Sequence, residues 1–157
     1  MFTADNVLGI GTSVFKDLHA YLASLRRMAE ERPGRLYPGH GPCVEDGGEK
    51  IAEYIQHRMR RVTQVVDLLS DTFAGGGGSS TVSLSDWSIE HITRKVYTGL
   101  AEQLIFPAMT NTRQVLHALQ EDGVVVRDAE TDTWRLSVSV EDAYAMIGAS
   151  SKKKAKM

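Results

Sequence analysis

Metal binding and proton transfer near neutral pH fall mainly to histidine, cysteine and the carboxylates. This 157-residue chain has five histidines, His19, His40, His57, His91 and His117, and one cysteine, Cys43. No two histidines stand four apart, the spacing at which one helix face grips zinc, and one cysteine cannot make a CxxC pair. Spacing alone therefore gives no metal site. His40 differs from the others in its setting. It sits in Pro38-Gly39-His40-Gly41-Pro42, directly after the short strand candidate Arg35-Leu36-Tyr37. Prolines fix φ and glycines admit tight backbone geometry, so such a turn presents the imidazole in one direction. On the residues alone, a functional histidine and an incidental one compete evenly there. Asp5 follows Phe2 and precedes Val7-Leu8-Gly9. A carboxylate among apolar residues at a strand end needs a partner if buried, and a metal, a set of backbone N–H groups or an arginine would each serve. An Asx turn or helix cap is the plain alternative.

The elements that must hold these two residues are readable as periodicity. Residues 2–12 read as a short extended segment entering a loop with Gly9 and Gly11. Over 13–31, Val14, Leu18, Leu22, Leu25 and Ala29 recur at spacings of three and four, which predicts an amphipathic helix ended by Pro33-Gly34. Over 48–71, Ile51, Ile55, Met59, Val62, Val66 and Leu69 predict the buried face of a long helix, with Arg58, Arg60 and Arg61 in its solvated basic cluster. Gly75-Gly76-Gly77-Gly78-Ser79-Ser80 has the composition of a flexible linker. Beyond it, Ser88 is placed to cap a helix reaching about Thr98, with Trp87 and Ile92 as its hydrophobic staple. Pro107 and Gly123 bracket a second helix, with Val115, Leu116 and Leu119 inward. Residues 124–127 and 134–137 then flank a turn as the arms of a hairpin do, and a short helix follows near 140–148. Helix, helix, hairpin is the order of a winged helix. The expected organisation is a first domain over 1–73, a linker over 74–84, a winged-helix domain over 85–148 and a basic disordered tail over 149–157.

Composition narrows the function classes. The chain is 42% hydrophobic and 24% charged, which suits a packed globular core. A net charge of −2 gives no global pull toward nucleic acid or an anionic membrane. No apolar run approaches the roughly 18 residues of a membrane span. A lone cysteine forms no internal disulfide, and the first residues lack the form of a signal peptide, so the expectation is an intracellular protein, cytoplasmic or mitochondrial. Ala155-Lys156-Met157 is a loose variant of a peroxisomal address, weighed against a plain solvated tail.

Specific wording carries more than spacing does. FTADNVLGIGT, an amphipathic helix, RLYPGHGP, EKIAEYIQHR and WSIEHITRKVY follow in the order found in the closing half of metallo-β-lactamase-superfamily hydrolases. The chain resembles in particular the β-lactamase-like protein 2 group and its fungal relatives, among them thioesterases that release polyketides from acyl-carrier domains. The likeness covers nearly all of the chain except the glycine run and the lysine tail. The resemblance implies an α+β fold: the C-terminal part of an αββα sandwich followed by a winged helix. It further implies that Asp5 is the carboxylate bridging two zinc ions and that His40 completes the second zinc site. Two adjacent cations lower the pKa of a shared water, which then attacks a carbonyl or phosphorus centre. The substrates implied are single-stranded RNA or acyl thioesters.

The chain departs from that pattern in one large respect. The family's HxHxDH motif and one further histidine ligand are not in these 157 residues, and zinc normally wants about four donors. The expectation is therefore a truncated gene product, a gene-model fragment or a degenerate relative, inactive alone, with a missing N-terminal half or a second copy as its partner. A non-enzymatic winged-helix interaction module is the competing reading. Sequence-specific DNA is a poor fit, since the second helix carries Arg113 and His117 but also Glu121 and Asp122. Cys43 is given no catalytic role and is expected to serve as a small buried hydrophobe.

Overall fold

The computed structural model describes residues 1–70 and 87–153, the last five of these by backbone alone. The expected linker over 74–84 and the end of the basic tail lie outside the described residues. The elements run β1 (Phe2–Ala4), α1 (Leu18–Glu30), β2 (Tyr37–Pro38), α2 (Gly47–Leu68), α3 (Ile89–Val96), a 3-10 turn (Glu102–Leu104), α4 (Ile105–Glu121), β3 (Val125–Asp128), β4 (Thr133–Leu136) and α5 (Val140–Lys153). They divide into two units, Met1–Arg60 and Arg61–Met157, with the division inside α2.

In the first unit, β1 and β2 pair in parallel, Phe2 opposite Tyr37 and Ala4 opposite Pro38. A parallel pair needs a crossover, and α1 supplies it. α1 begins at Leu18 rather than near residue 13, because the Asp17 carboxylate accepts from the Ala20 N–H and sets the N-terminus there. That leaves Val14 outside the helix and 76% exposed, whereas Phe15 packs inward. Leu18, Tyr21, Leu22 and Leu25 form the buried stripe as the periodicity predicts. The α2 face is as expected at Ile51, Val62 and Val66, which are buried, and differs between them. Ile51 and Tyr54 are buried and Ile55 is half-exposed, while Arg58, assigned to the solvated cluster, is only 3% exposed. Tyr54 and Arg58 take the buried positions there because both reach loop carbonyls, those of Gly11 and Ser13.

In the second unit, Ser88 caps α3 by accepting from the His91 N–H, and both Trp87 and Ile92 are buried. α4 begins two residues before Pro107, which therefore lies in its first turn, where a missing N–H costs nothing. It stops at Gly123, whose φ of +75° suits the residue just past a helix end. The hairpin is antiparallel, Val125 opposite Leu136 and Asp128 opposite Thr133, and the Trp87 carbonyl accepts from the Trp134 N–H at 3.0 Å. Its arms sit one residue from the expected 124–127 and 134–137. Trp134, Leu116, Leu119, Leu136 and Ile92 are fully buried and make the core. α5 continues to Lys153, past the expected helix near 140–148. Its Tyr144 hydroxyl donates to the Asp67 carboxylate, which together with partial burial pushes the Tyr144 phenol up to about 12.

Candidate metal centre

Parallel pairing brings Asp5 and His40 together. Each follows the C-terminal end of its strand, and neighbouring parallel strands end side by side. The Gly39 N–H donates to the Ala4 carbonyl at 2.8 Å, which ties the two strand ends together past a one-residue register shift between Phe2 and Ala4. Ala4 has φ +45°, a left-handed conformation that costs a non-glycine residue roughly 1–3 kcal/mol and bends the chain at the residue before Asp5. A Cβ on Gly39 would lie 2.8 Å from Asp5 Oδ1, so only glycine leaves that carboxylate its place. The outcome is His40 Nε2 at 3.6 Å from Asp5 Oδ1, with both side chains about three-quarters exposed (76% and 75%).

The His40 turn is fastened from both sides. Leu36 and Val44 exchange backbone bonds across its base, at 2.8 and 3.1 Å, and the Arg35 guanidinium grips Glu45 beyond them at 2.6 and 2.9 Å. On the other flank, the Gly9 N–H donates to the His40 carbonyl at 3.0 Å. A Cβ on Gly9 would lie 2.0 Å from the Pro42 carbonyl oxygen, so this close approach of two backbones also demands glycine. The loop over residues 6–13 is thereby tied to the turn that carries His40.

That loop is in turn held by five side chains. Thr3 Oγ1 donates to the Val7 carbonyl at 2.8 Å. The Asn6 carbonyl accepts from Ser13 Oγ at 2.9 Å and from the Tyr21 hydroxyl at 2.7 Å. The Tyr54 hydroxyl accepts from the Leu8 N–H at 3.2 Å and donates to the Gly11 carbonyl at 3.0 Å. Arg58 Nη2 donates to the Ser13 carbonyl at 2.7 Å. Burial raises the Tyr21 phenol above its ordinary 10.0, with Ser13 and Arg58 pulling the other way, so Tyr21 stays a donor.

The Asp5–His40 arrangement fits zinc in donor chemistry and in spacing. A carboxylate oxygen and an imidazole nitrogen are ordinary zinc donors, and two donors at about 2.0–2.1 Å from one tetrahedral ion lie roughly 3.4 Å apart. The observed 3.6 Å is close to that figure and too long for a direct hydrogen bond. Among the described residues no third histidine, cysteine or carboxylate joins them. The other histidines stand elsewhere. His57 borders a small cavity with Thr12 and Tyr54, and His91 and His117 meet Trp87 and Trp134 edge-on at 5.6 and 6.0 Å. Cys43 is exposed rather than buried.

Sequence reasoning missed Arg58, Tyr54 and Tyr21. Their signal was weak: two tyrosines and one arginine on apolar helix faces, where a basic residue is ordinarily solvated.

A family profile described as a β-lactamase associated winged helix domain matches residues 88–134. The chain is 35% identical over 125 residues to a β-lactamase-like protein 2 homolog of Caenorhabditis elegans, covering 80% of this chain and 38% of that one. It is 42% identical over 123 residues to the Drosophila melanogaster homolog, covering 78% and 39%. It is 37% identical over 134 residues to a lactamase-like protein of Aspergillus niger, covering 83% and 41%. The chain thus spans about two fifths of the length of these relatives. Two solved structures share its fold. A β-lactamase domain protein from Burkholderia ambifaria has TM-score 0.68 at 18% identity, covering 87% of this chain and 41% of that one. A metallo-β-lactamase family protein from Thermus thermophilus has TM-score 0.59 at 20% identity, covering 85% and 40%. The resemblance drawn from the FTADNVLG and YPGHGP segments is borne out, as is the α+β fold with a winged helix.

Proposed function

We propose that this chain, which has a metallo-β-lactamase-type fold followed by a winged helix, supplies two donors, Asp5 and His40, to a dinuclear zinc centre of a hydrolase. The observation that carries the reading is the 3.6 Å approach of His40 Nε2 to Asp5 Oδ1 at the ends of two parallel strands. A zinc pair, when bound, supplies Lewis acidity and an acidified water for attack on a carbonyl or phosphorus centre. The chain's own residues do the rest. Asp5 offers two oxygens and can serve two cations at once. His40 offers one nitrogen from a turn whose backbone is held by bonds at Gly9, Gly39 and the 36–44 bridge. Among the described residues no further histidine, cysteine or carboxylate joins this pair, so the reading takes the remaining donors from elsewhere. The substrates that fit the reading are acyl thioesters and RNA phosphodiesters.

The test is titration of the purified chain with zinc chloride while the His40 ring is followed by NMR. The expected result is weak, saturable shifts at His40 and Asp5, abolished by His40→Ala and by Asp5→Asn, with no turnover of a thioester or an RNA probe. Gly39→Ala should weaken binding as well, because its Cβ displaces the carboxylate. No shift at either residue at millimolar zinc would sink the reading. Tight binding of two zinc ions with turnover would show that the other donors are in this chain after all.

A further inference from the structure

Arg58 is 3% exposed, and no carboxylate pairs with it among the described residues. Its guanidinium carbon lies 4.8 Å from the Phe15 ring centre and 5.5 Å from that of Tyr21, and these two rings are themselves stacked at 5.2 Å. Its Nη2 donates to the Ser13 carbonyl, and its Nε has no hydrogen-bond partner. Burying a cation is costly, and an apolar side chain of similar volume is often neutral or stabilising in its place. Filling space therefore does not account for arginine here. What arginine does that an apolar residue cannot is grip the two groups that hold the Asn6 carbonyl. Ser13 is bonded through its own carbonyl and passes its hydroxyl to Asn6 at 2.9 Å. Tyr21 lies under the guanidinium and passes its hydroxyl to the same oxygen at 2.7 Å. Asn6 is the residue directly after Asp5, and the same loop meets the His40 carbonyl through Gly9.

We infer that Arg58 is a positioning residue, which acts from α2 through Ser13 and Tyr21 to fix the Asn6 carbonyl, one residue beyond Asp5, and thereby the metal-binding geometry of Asp5 and His40. The inference rests on the metal reading proposed above for its consequence, but not for its mechanical part. Outer groups that orient a ligand typically change metal affinity by 10–100-fold when removed.

The test uses the full chain with Arg58→Met and Arg58→Lys, read by thermal melting, by amide hydrogen exchange and by zinc titration at His40. For Arg58→Met the expected result is a melt close to that of the unsubstituted chain. Exchange over residues 6–9 should be at least about tenfold faster, with α4 unchanged, and zinc should bind about tenfold more weakly. Lysine keeps the charge but lacks the planar fork that stacks and bonds at once, so Arg58→Lys should fall between the two. A folded Arg58→Met chain with unchanged exchange over 6–9 overturns the inference, as does one with faster exchange but unchanged zinc affinity. Should Arg58→Met fail to fold, Arg58→Lys carries the test: faster loop exchange supports the inference, and unchanged exchange overturns it. A zinc titration that leaves His40 unmoved in the unsubstituted chain overturns the metal reading instead, and loop exchange then decides the mechanical part alone.

Discussion

Both units have an apolar core, but in the first a set of side-chain hydrogen bonds also gathers on one loop. The winged-helix unit closes over Trp134, Leu116, Leu119, Leu136 and Ile92, and its buried polar pair, Thr93 and Thr112, is satisfied internally at 2.9 Å. The first unit buries Val7, Leu25, Leu36 and Ile51 as completely, and in addition fixes the loop over residues 6–13 with bonds from Thr3, Ser13, Tyr21, Tyr54 and Arg58. Apolar packing is non-directional and sums over many contacts. Hydrogen bonds are directional and set one geometry. The contrast teaches that the winged helix is built to be stable and the loop after Asp5 is built to be placed.

The largest effect should come from the packed unit. Trp134→Ala removes a side chain that is 1% exposed and should cost about 3–5 kcal/mol. Denaturant melts read by circular dichroism give the size, and residue-resolved exchange shows where it falls. Loss of protection confined to α3, α4 and the hairpin would sharpen the contrast, while equal loss in α1 would break it.

A smaller effect is expected from Tyr54→Phe, which deletes a hydroxyl that bonds the Leu8 N–H and the Gly11 carbonyl. The cost should be about 1–3 kcal/mol, since two loop groups lose their partner. Exchange at Leu8 should rise more than exchange anywhere in α1. Uniform loosening of the whole unit would mean that Tyr54 is core rather than clamp.

The smallest effect belongs to an exposed ion pair of the winged helix. Arg94 bonds Glu102 at 2.6 and 3.0 Å, and these bonds hold the Glu102 carboxyl below its ordinary value near 4.5. A carboxyl held down in the folded state stabilises it above that ordinary value. The contribution is lost as pH falls through 4.5 and below. Acid melts should therefore show a slight decline there that Glu102→Gln removes and that high salt weakens. An identical acid decline in Glu102→Gln would assign it to other carboxylates.

Much of this molecule was legible in its residues. The Ser88 cap, the stop at Gly123, the hairpin and the buried stripe of α1 follow from local rules, because capping, left-handed glycine and helical periodicity act over a few neighbours. The wording around Asp5 and His40 made both positions candidates. The sequence could not show that Arg58 is buried or that Val14 is exposed, since both depend on what the rest of the chain lays against them. It could not bring Asp5 within 3.6 Å of His40 either. That approach comes from the parallel register of two short strands, a contact between segments far apart in sequence, and only the folded chain sets such a distance.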